Sequence, residues 1–174
     1  YIVDSFADRA GAGNPAAVVL LHKDFDVNNQ QQIRWMQSVA AEFNLSETAF
    51  CWPSSSTSQT NSPSLETDSD GGGEMGDVHW NIRYFTPTVE IALCGHATLA
   101  SAAVLYQNLP ASETCRAIVF HASQDILTMR LAEDETNGTT NQPSISRISM
   151  VYNSQHAQEL KSREDRADVR YMLT

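Results

Sequence analysis

The sequence predicts an α+β domain in which a β-barrel-like sheet wraps around a central apolar helix. The helix is predicted from residues 97–105, which carry no charge on any face and should therefore be surrounded by protein. The sheet is predicted from many short runs of β-branched and aromatic residues that are separated by turn residues. With 174 residues, 41% of them hydrophobic, the chain is long enough for one well-cored domain.

Two strands and a helix are predicted at the start of the chain. YIVDSF and AAVVLLH have strand composition, and the bend between them is rich in Gly and contains Pro15. Either Asn28 or Asn29 can cap a helix that continues to about Phe43, because apolar residues recur there at three- and four-residue steps. This helix should lie against the sheet.

A polar segment then interrupts the strands. Residues 53–77 are mostly Ser, Thr, Asp and Gly, and we interpret them as a disordered insertion across which NLSETAFCW and DVHWNIRYFT still pair. RAIVFHA, DILTMRLA and ISRISMVY predict three later strands. The domain is therefore expected to cover residues 1–152, and we interpret residues 153–174 as a charged tail or as the start of a missing second half.

Composition excludes several classes of function. The net charge is −10, with two lysines among 11 basic residues, which argues against a nucleic-acid partner. The sequence has neither the apolar run of a membrane span nor the pattern of a signal peptide, so we expect a cytoplasmic protein that does not bind membranes. Three cysteines without CxxC spacing indicate reduced thiols rather than disulfides or zinc.

The start of the apolar helix is the first candidate site. Unpaired N–H groups at Gly95 and His96 should face an open end of the barrel and favour a carboxylate. His96 is either an acid/base or substrate-binding group, or a cap residue bonded to backbone. Cys94 is either a thiol whose pKa the helix N-terminus lowers, or a buried and inert cysteine.

A carboxylate and four other histidines complete the candidates. Glu47 lies among apolar strand residues, so it points outward to solvent or sits in a pocket that raises its pKa toward that of a working base. The remaining histidines lack metal-ligand spacing, so we expect surface or structural roles for them and no metal site. They are His22, His79, His121 and His156.

Three separated motifs carry a family resemblance. DSFADRAGAGNPAAVVLL, EFNLSETAF and RYFTPTVEIALCGHATLASAAVL, in this order, resemble the first half of the PhzF-like (phenazine-biosynthesis-like) proteins, which share the diaminopimelate epimerase fold. The resemblance implies one half of that fold and an isomerase that moves a proton on a small carboxylic acid without a cofactor. It places Glu47 as general acid/base and Gly95, His96 and Asn14 as substrate-binding residues. A homodimer is left open.

The resemblance also implies a second half, with an Asp and a Gly-Ser segment that close the site, and neither is found after Val151. Without it the cleft lacks one wall, and activity would need a partner chain or would be absent. Two alternatives therefore stand beside the isomerase. One is a non-catalytic binding protein that retains the fold, and the other is a thiol-dependent epimerase or racemase that uses Cys94.

Overall fold

The computed structural model describes residues 1–54 apart from 8, 10 and 24, and then residues 76–108, 115–131, 147–154 and 167–173. These ranges form a mixed sheet and two helices. In chain order the elements are β1 (Ile2–Ser5), β2 (Asn14–Leu20), α1 (Gln30–Phe43), β3 (Glu47–Pro53), β4 (Asp77–Phe85), β5 (Glu90–Ile91), α2 (Gly95–Asn108), β6 (Ala117–His121), β7 (Asp125–Leu131), β8 (Arg147–Ser154) and β9 (Ala167–Leu173).

Strand pairing closes the sheet into a ring. The described strands follow one another in the order β1, β2, β3, β4, β6, β7, β8, β9, and β9 pairs with β1. The β2–β3 and β4–β6 pairs are parallel, and the other pairs in the ring are antiparallel. The short β5 extends the sheet beside the end of β4. Closure gives each strand of the ring a hydrogen-bonded neighbour on both sides.

Helix α2 fills the interior of this ring. All residues from Ala97 to Leu105 are buried, and the helix contacts β1, β2, β3, β8 and β9. Alternating strand residues such as Ala49 and Cys51 point inward to the same core. Small side chains on α2 leave room for the surrounding strands, so the prediction of a barrel-like sheet around a central apolar helix is confirmed.

Helix α1 packs on the outside of the barrel. It begins after Asn29, whose side chain accepts a hydrogen bond from the Gln31 amide at 2.8 Å, and so Asn29 rather than Asn28 is the cap. Met36 and Ala40 pack against Phe50 and Phe85, which point outward from β3 and β4. The helix therefore covers one outer patch of the wall, as its apolar stripe predicts.

Residues 55–75, within the predicted insertion at 53–77, lie outside the described residues. The strands on either side of that segment do pair, from Thr48 with Phe85 to Pro53 with Trp80. Residues 167–173, which the sequence analysis leaves outside the domain, form β9 between β8 and β1. In the described part of the chain, neither helix has the length and apolarity that a membrane crossing requires.

Candidate active site at the N-terminus of the central helix

One end of the barrel, where α2, β2 and β3 begin and β1 ends, holds the candidate site. Cys94 occupies the cap position of α2, because the Thr98 amide donates to the Cys94 carbonyl at 3.0 Å. The backbone amides of His96 and Ala97 also point at the Cys94 thiol. The Thr98 hydroxyl donates to the same carbonyl at 2.7 Å and lies 2.6 Å from the Tyr84 hydroxyl, which fixes the first turn to β4.

His96 lies at the centre of the site. Its Nδ1 is 3.2 Å from Cys94 Sγ, and its Nε2 is 3.2 Å from Glu47 Oε2 and 3.3 Å from Ser46 Oγ. The Ser5 hydroxyl donates to the His96 carbonyl at 2.7 Å and ties the helix start to the end of β1. The imidazole ring thus bridges the thiol at the helix cap and the carboxylate at the start of β3.

Glu47 turns into the site rather than out to solvent. It is the first residue of β3, and its side chain is 19% exposed while that of His96 is 10% exposed. Although Oε2 is close enough to His96 Nε2 for an ion pair, it has no hydrogen bond of acceptable geometry among the described residues. The short distance alone does not make a hydrogen bond, because a hydrogen bond weakens steeply when the donor points aside.

Burial has the largest effect on the pKa of the Cys94 thiol. Burial raises the pKa of the thiol to about 11, and the negative charge of Glu47 and a side-chain hydrogen bond with that residue add to this, while the amides of Ala97 and His96 lower it. Of the two sequence interpretations of Cys94, the raised pKa agrees in direction with the buried thiol and not with a thiol activated by the helix N-terminus. Cys94 is a protonated thiol at neutral pH and acts as a hydrogen-bond partner of its neighbours.

His96 is shifted in the direction of the neutral ring. Burial lowers its pKa, and the effect is partly offset by the Glu47 carboxylate and by a hydrogen bond to the Pro15 carbonyl. A neutral imidazole has one donor and one acceptor nitrogen, so it can hold both a carboxylate and a neutral substrate group. The ring of His96 thus contacts a backbone carbonyl as well as the thiol and the carboxylate.

Donor atoms of Glu47, Cys94 and His96 lie within 4.8 Å of one another and could hold a metal ion. The imidazole, however, presents Nδ1 to the thiol and Nε2 to the carboxylate. One metal ion would use a single ring nitrogen, so ligation by all three residues requires the ring to reorient. As it stands, the arrangement is a chain of polar contacts rather than a coordination sphere.

The two other predicted site residues lie at the same end of the barrel. Asn14 is exposed at the start of β2, opposite Ser5, and two residues before Ala16, which pairs with Glu47. A Cβ at Gly95 would meet the Met150 side chain at an ordinary 3.7 Å. The fold itself therefore does not demand a glycine at the first position of α2.

The sequence analysis missed three supporting contacts. Ser5 and Ser46 hold His96 through its carbonyl and its ring, and the Pro15 carbonyl faces the same ring. Ser46 directly precedes Glu47, which was a usable signal, because consecutive residues at a strand start reach the same rim. Gly13 lies close against the end of β1, where a Cβ would collide with the Ser5 carbonyl oxygen. A glycine is therefore required for this close approach.

Comparison with known proteins gives one family. The family described as "Phenazine biosynthesis-like protein" (PhzC-PhzF) matches residues 3–170. An uncharacterised isomerase of Halalkalibacterium halodurans is 40% identical over 128 residues, which are 74% of this chain and 37% of that protein. A human phenazine biosynthesis-like domain-containing protein is 41% identical over 109 residues, which are 63% of this chain and 31% of that protein. The chain therefore spans well under half the length of these relatives.

Solved structures agree on the fold. A PhzF-family phenazine biosynthesis protein of Bacillus anthracis aligns with a TM-score of 0.55 at 24% identity, covering 87% of this chain and 39% of that one. A protein of Pseudomonas aeruginosa described as a predicted epimerase aligns with the same TM-score at 20% identity, covering 87% of this chain and 41% of that one. At these identities the likeness concerns the fold alone.

Proposed function

Since the chain belongs to the phenazine biosynthesis-like (PhzC-PhzF) family, we propose that it carries the proton-transferring wall of a cofactor-independent isomerase. The substrate is a small carboxylic acid, and Glu47 is the general acid/base. Isomerase is the activity in the name of the bacterial relative. The second wall of the cleft comes from further residues of the polypeptide or from a second chain, as the greater length of the relatives suggests.

The unsatisfied oxygen of Glu47 is the observation that carries this proposal. A buried carboxylate oxygen without a hydrogen bond costs folding free energy, so such an atom usually has a functional reason. Oε2 of Glu47 is such an atom, and the side chain remains partly exposed at the open end of the barrel. A substrate C–H or O–H would reach the carboxylate from its exposed side and pass its proton there, while Oε2 stays enclosed against His96.

The surroundings suit the charge that develops when the proton leaves. The start of α2 points its positive dipole end at the site, and the neutral ring of His96 donates to a substrate oxygen only by exchanging one of its present contacts with Cys94, Glu47, Ser46 and Pro15. Gly95 has no side chain at the helix start, where Met150 lies at ordinary contact distance from the Cβ position, and Asn14 is exposed at the same rim. We assign these three residues to substrate binding. No step of this scheme uses a metal or nucleotide.

The alternative of a thiol-dependent epimerase receives less support. A thiolate base needs a pKa near or below neutrality, whereas burial and Glu47 raise that of Cys94 to about 11. The other cysteines are Cys51, buried in the barrel with a pKa raised to about 12, and Cys115, next to β6. We therefore assign Cys94 a positioning role, in which it caps α2 and orients His96.

The test is proton exchange by the natural full-length polypeptide in D₂O, followed by NMR with a panel of small carboxylic acids. Glu47→Gln should lower the exchange rate by ~10²- to 10⁴-fold, the usual contribution of a general acid/base. The matched control is Glu42→Gln, which removes an exposed carboxylate of α1. Equal exchange rates for the wild type and Glu47→Gln would contradict the proposal. Binding of the acids by wild type without any exchange would support the non-catalytic alternative instead.

A further inference from the structure

The outer wall of the barrel carries a histidine pair that the proposed active site does not use. Nδ1 of His79 lies 2.9 Å from Nε2 of His121, and the two rings are stacked with centroids 5.2 Å apart and planes at 27°. Both residues are half-buried, so water and small ions can reach the rings. The pair stands on β4 and β6, away from the start of α2.

Strand pairing brings these rings together although 42 positions separate them. Strands β4 and β6 run parallel, with His79 opposite Val119 and Asn81 opposite His121. Their neighbours Trp80 and Phe120 face the core around α2, so the alternation of a strand places both histidines on the outer face. Sequence spacing gave no sign of a metal site, because the two ligands come from different strands.

The nitrogen spacing is that of two ligands on one metal ion. Imidazole nitrogens bind zinc at about 2.0–2.1 Å, so two of them stand about 2.9 Å apart at a right angle and about 3.4 Å apart at a tetrahedral angle. The observed distance of 2.9 Å between the two nitrogens matches the right-angle value and is about 0.5 Å short of the tetrahedral value. The rings must also turn so that both nitrogens face one ion. In the absence of an ion, the same two nitrogens share one proton in a hydrogen bond.

We propose that His79 and His121 form a binding site for a divalent transition metal ion of the zinc, nickel and copper class, with water in the remaining positions. Imidazole is the ligand that these ions share. The inference does not depend on the function of the site at the start of α2.

The charged residues around the pair do not add a further ligand to this site. Asp77 lies two residues before His79 on the same face, but its carboxylate is held by Arg116 at 3.0 and 3.2 Å, and Arg130 is also near it. Affinity must therefore come from the imidazoles. Ligation needs both imidazoles in the neutral form, so metal affinity should fall as the pH drops.

Calorimetric titration of the metal-free protein with ZnCl₂ tests the site. It is done in a Cys94→Ser background, so that zinc bound by the Glu47–Cys94–His96 cluster is reduced in every sample. His79→Gln and His121→Gln should each weaken one zinc-binding event by at least ~10-fold, because loss of an outer-shell partner alone typically costs that much. The control His22→Gln removes an exposed histidine far along the chain from both strands and should leave that event unchanged.

A second measurement does not depend on the folding of variants. In the ¹⁵N spectrum of histidine rings in the wild-type protein, zinc should shift the two resonances that belong to His79 and His121 together and in proportion to the added metal. Two results overturn the proposal. Either zinc affinity is retained in one of the two Gln variants, or zinc shifts other histidine rings and leaves this pair as a hydrogen bond.

Discussion

The two helices of this domain have similar lengths and opposite surroundings. Helix α1 lies outside the barrel, buries Met36 and Ala40, and begins at an ordinary Asn cap. Helix α2 lies inside, is buried over nine consecutive residues, and begins at a cysteine that contacts His96. The difference shows two ways to hold a helix start: α1 is closed by its own cap side chain, whereas the start of α2 is held by contacts from the surrounding strands β1, β3 and β4.

The enclosed helix accommodates its polar residues through its own backbone. Thr98 donates to the Cys94 carbonyl and Ser101 donates to the Ala97 carbonyl, both at 2.7 Å. Each hydroxyl thus has a hydrogen-bond acceptor in its own helix and needs no water inside the apolar core. In the outer helix, Ser38 makes the same kind of bond to the Arg34 carbonyl at 2.9 Å, but at an exposed position where water is also within reach. Space, rather than polarity, is the strict constraint inside the barrel.

The largest effect should follow from breaking that constraint. Ala100→Leu adds three carbon atoms to a fully buried position of α2 and should lower the free energy of unfolding by ~1–3 kcal/mol, the usual cost of overpacking a core. Ala41→Leu makes the same change at an exposed position of α1 and should have little effect. Urea denaturation of both variants measures the contrast. Equal stability of the two would mean that α2 is not enclosed.

Removing the caps should have a smaller effect and separates their roles. Asn29→Ala deletes the bond to the Gln31 amide and should cost ~1 kcal/mol of stability without touching the site. Cys94→Ser keeps a side chain that accepts from the first-turn amides, so it should cost less than Asn29→Ala. Thermal and urea unfolding give the stabilities. A larger loss for Cys94→Ser would indicate that the sulfur acts through packing in the core rather than as a cap.

The smallest effect concerns pH. Burial lowers the folded-state pKa values of His96 and His121 below the ordinary value of 6.5. The unfolded chain therefore binds protons first as the pH falls, so the stabilising contribution of each neutral ring is present above pH 6.5 and is lost as the pH falls through the lowered folded value. Urea midpoints should drop between about pH 7 and about pH 5, and the drop should shrink in His121→Gln. If the urea midpoint of His121→Gln dropped as much with pH as that of the wild type, the lowered pKa of His121 in the folded state would be contradicted.

Much of the fold could be predicted from local sequence because its signals are local. The uncharged run of α2, the apolar stripe of α1 and the strand compositions each depend on neighbouring residues. Closure of the ring by β9 could not be predicted, since it depends on pairing with β1, more than 160 positions away. The same reason hid the His79–His121 pair, whose two strands meet only in the folded sheet.

The sequence predicted which residues lie together at this end of the barrel, but not the direction in which their pKa values shift. The motifs that carry the resemblance contain Glu47, Cys94, Gly95 and His96, and the fold places them at one rim. The sign of the shift at Cys94 depends on burial and on a carboxylate from another strand, which the helix-terminus argument does not include. Ser5 was missed because nothing in its local sequence marks it as a neighbour of His96, whereas Ser46 could have been found from its position next to Glu47.

The central claim is that the carboxylate of the strand, and not the thiol of the helix cap, moves the proton. It is tested most directly by comparing Glu47→Gln and Cys94→Ser in the same D₂O exchange assay on the full-length polypeptide. The account predicts a loss of ~10²- to 10⁴-fold for Glu47→Gln and a loss within ~10-fold for Cys94→Ser. The reverse order, with Cys94→Ser inactive and Glu47→Gln still exchanging protons, would contradict it.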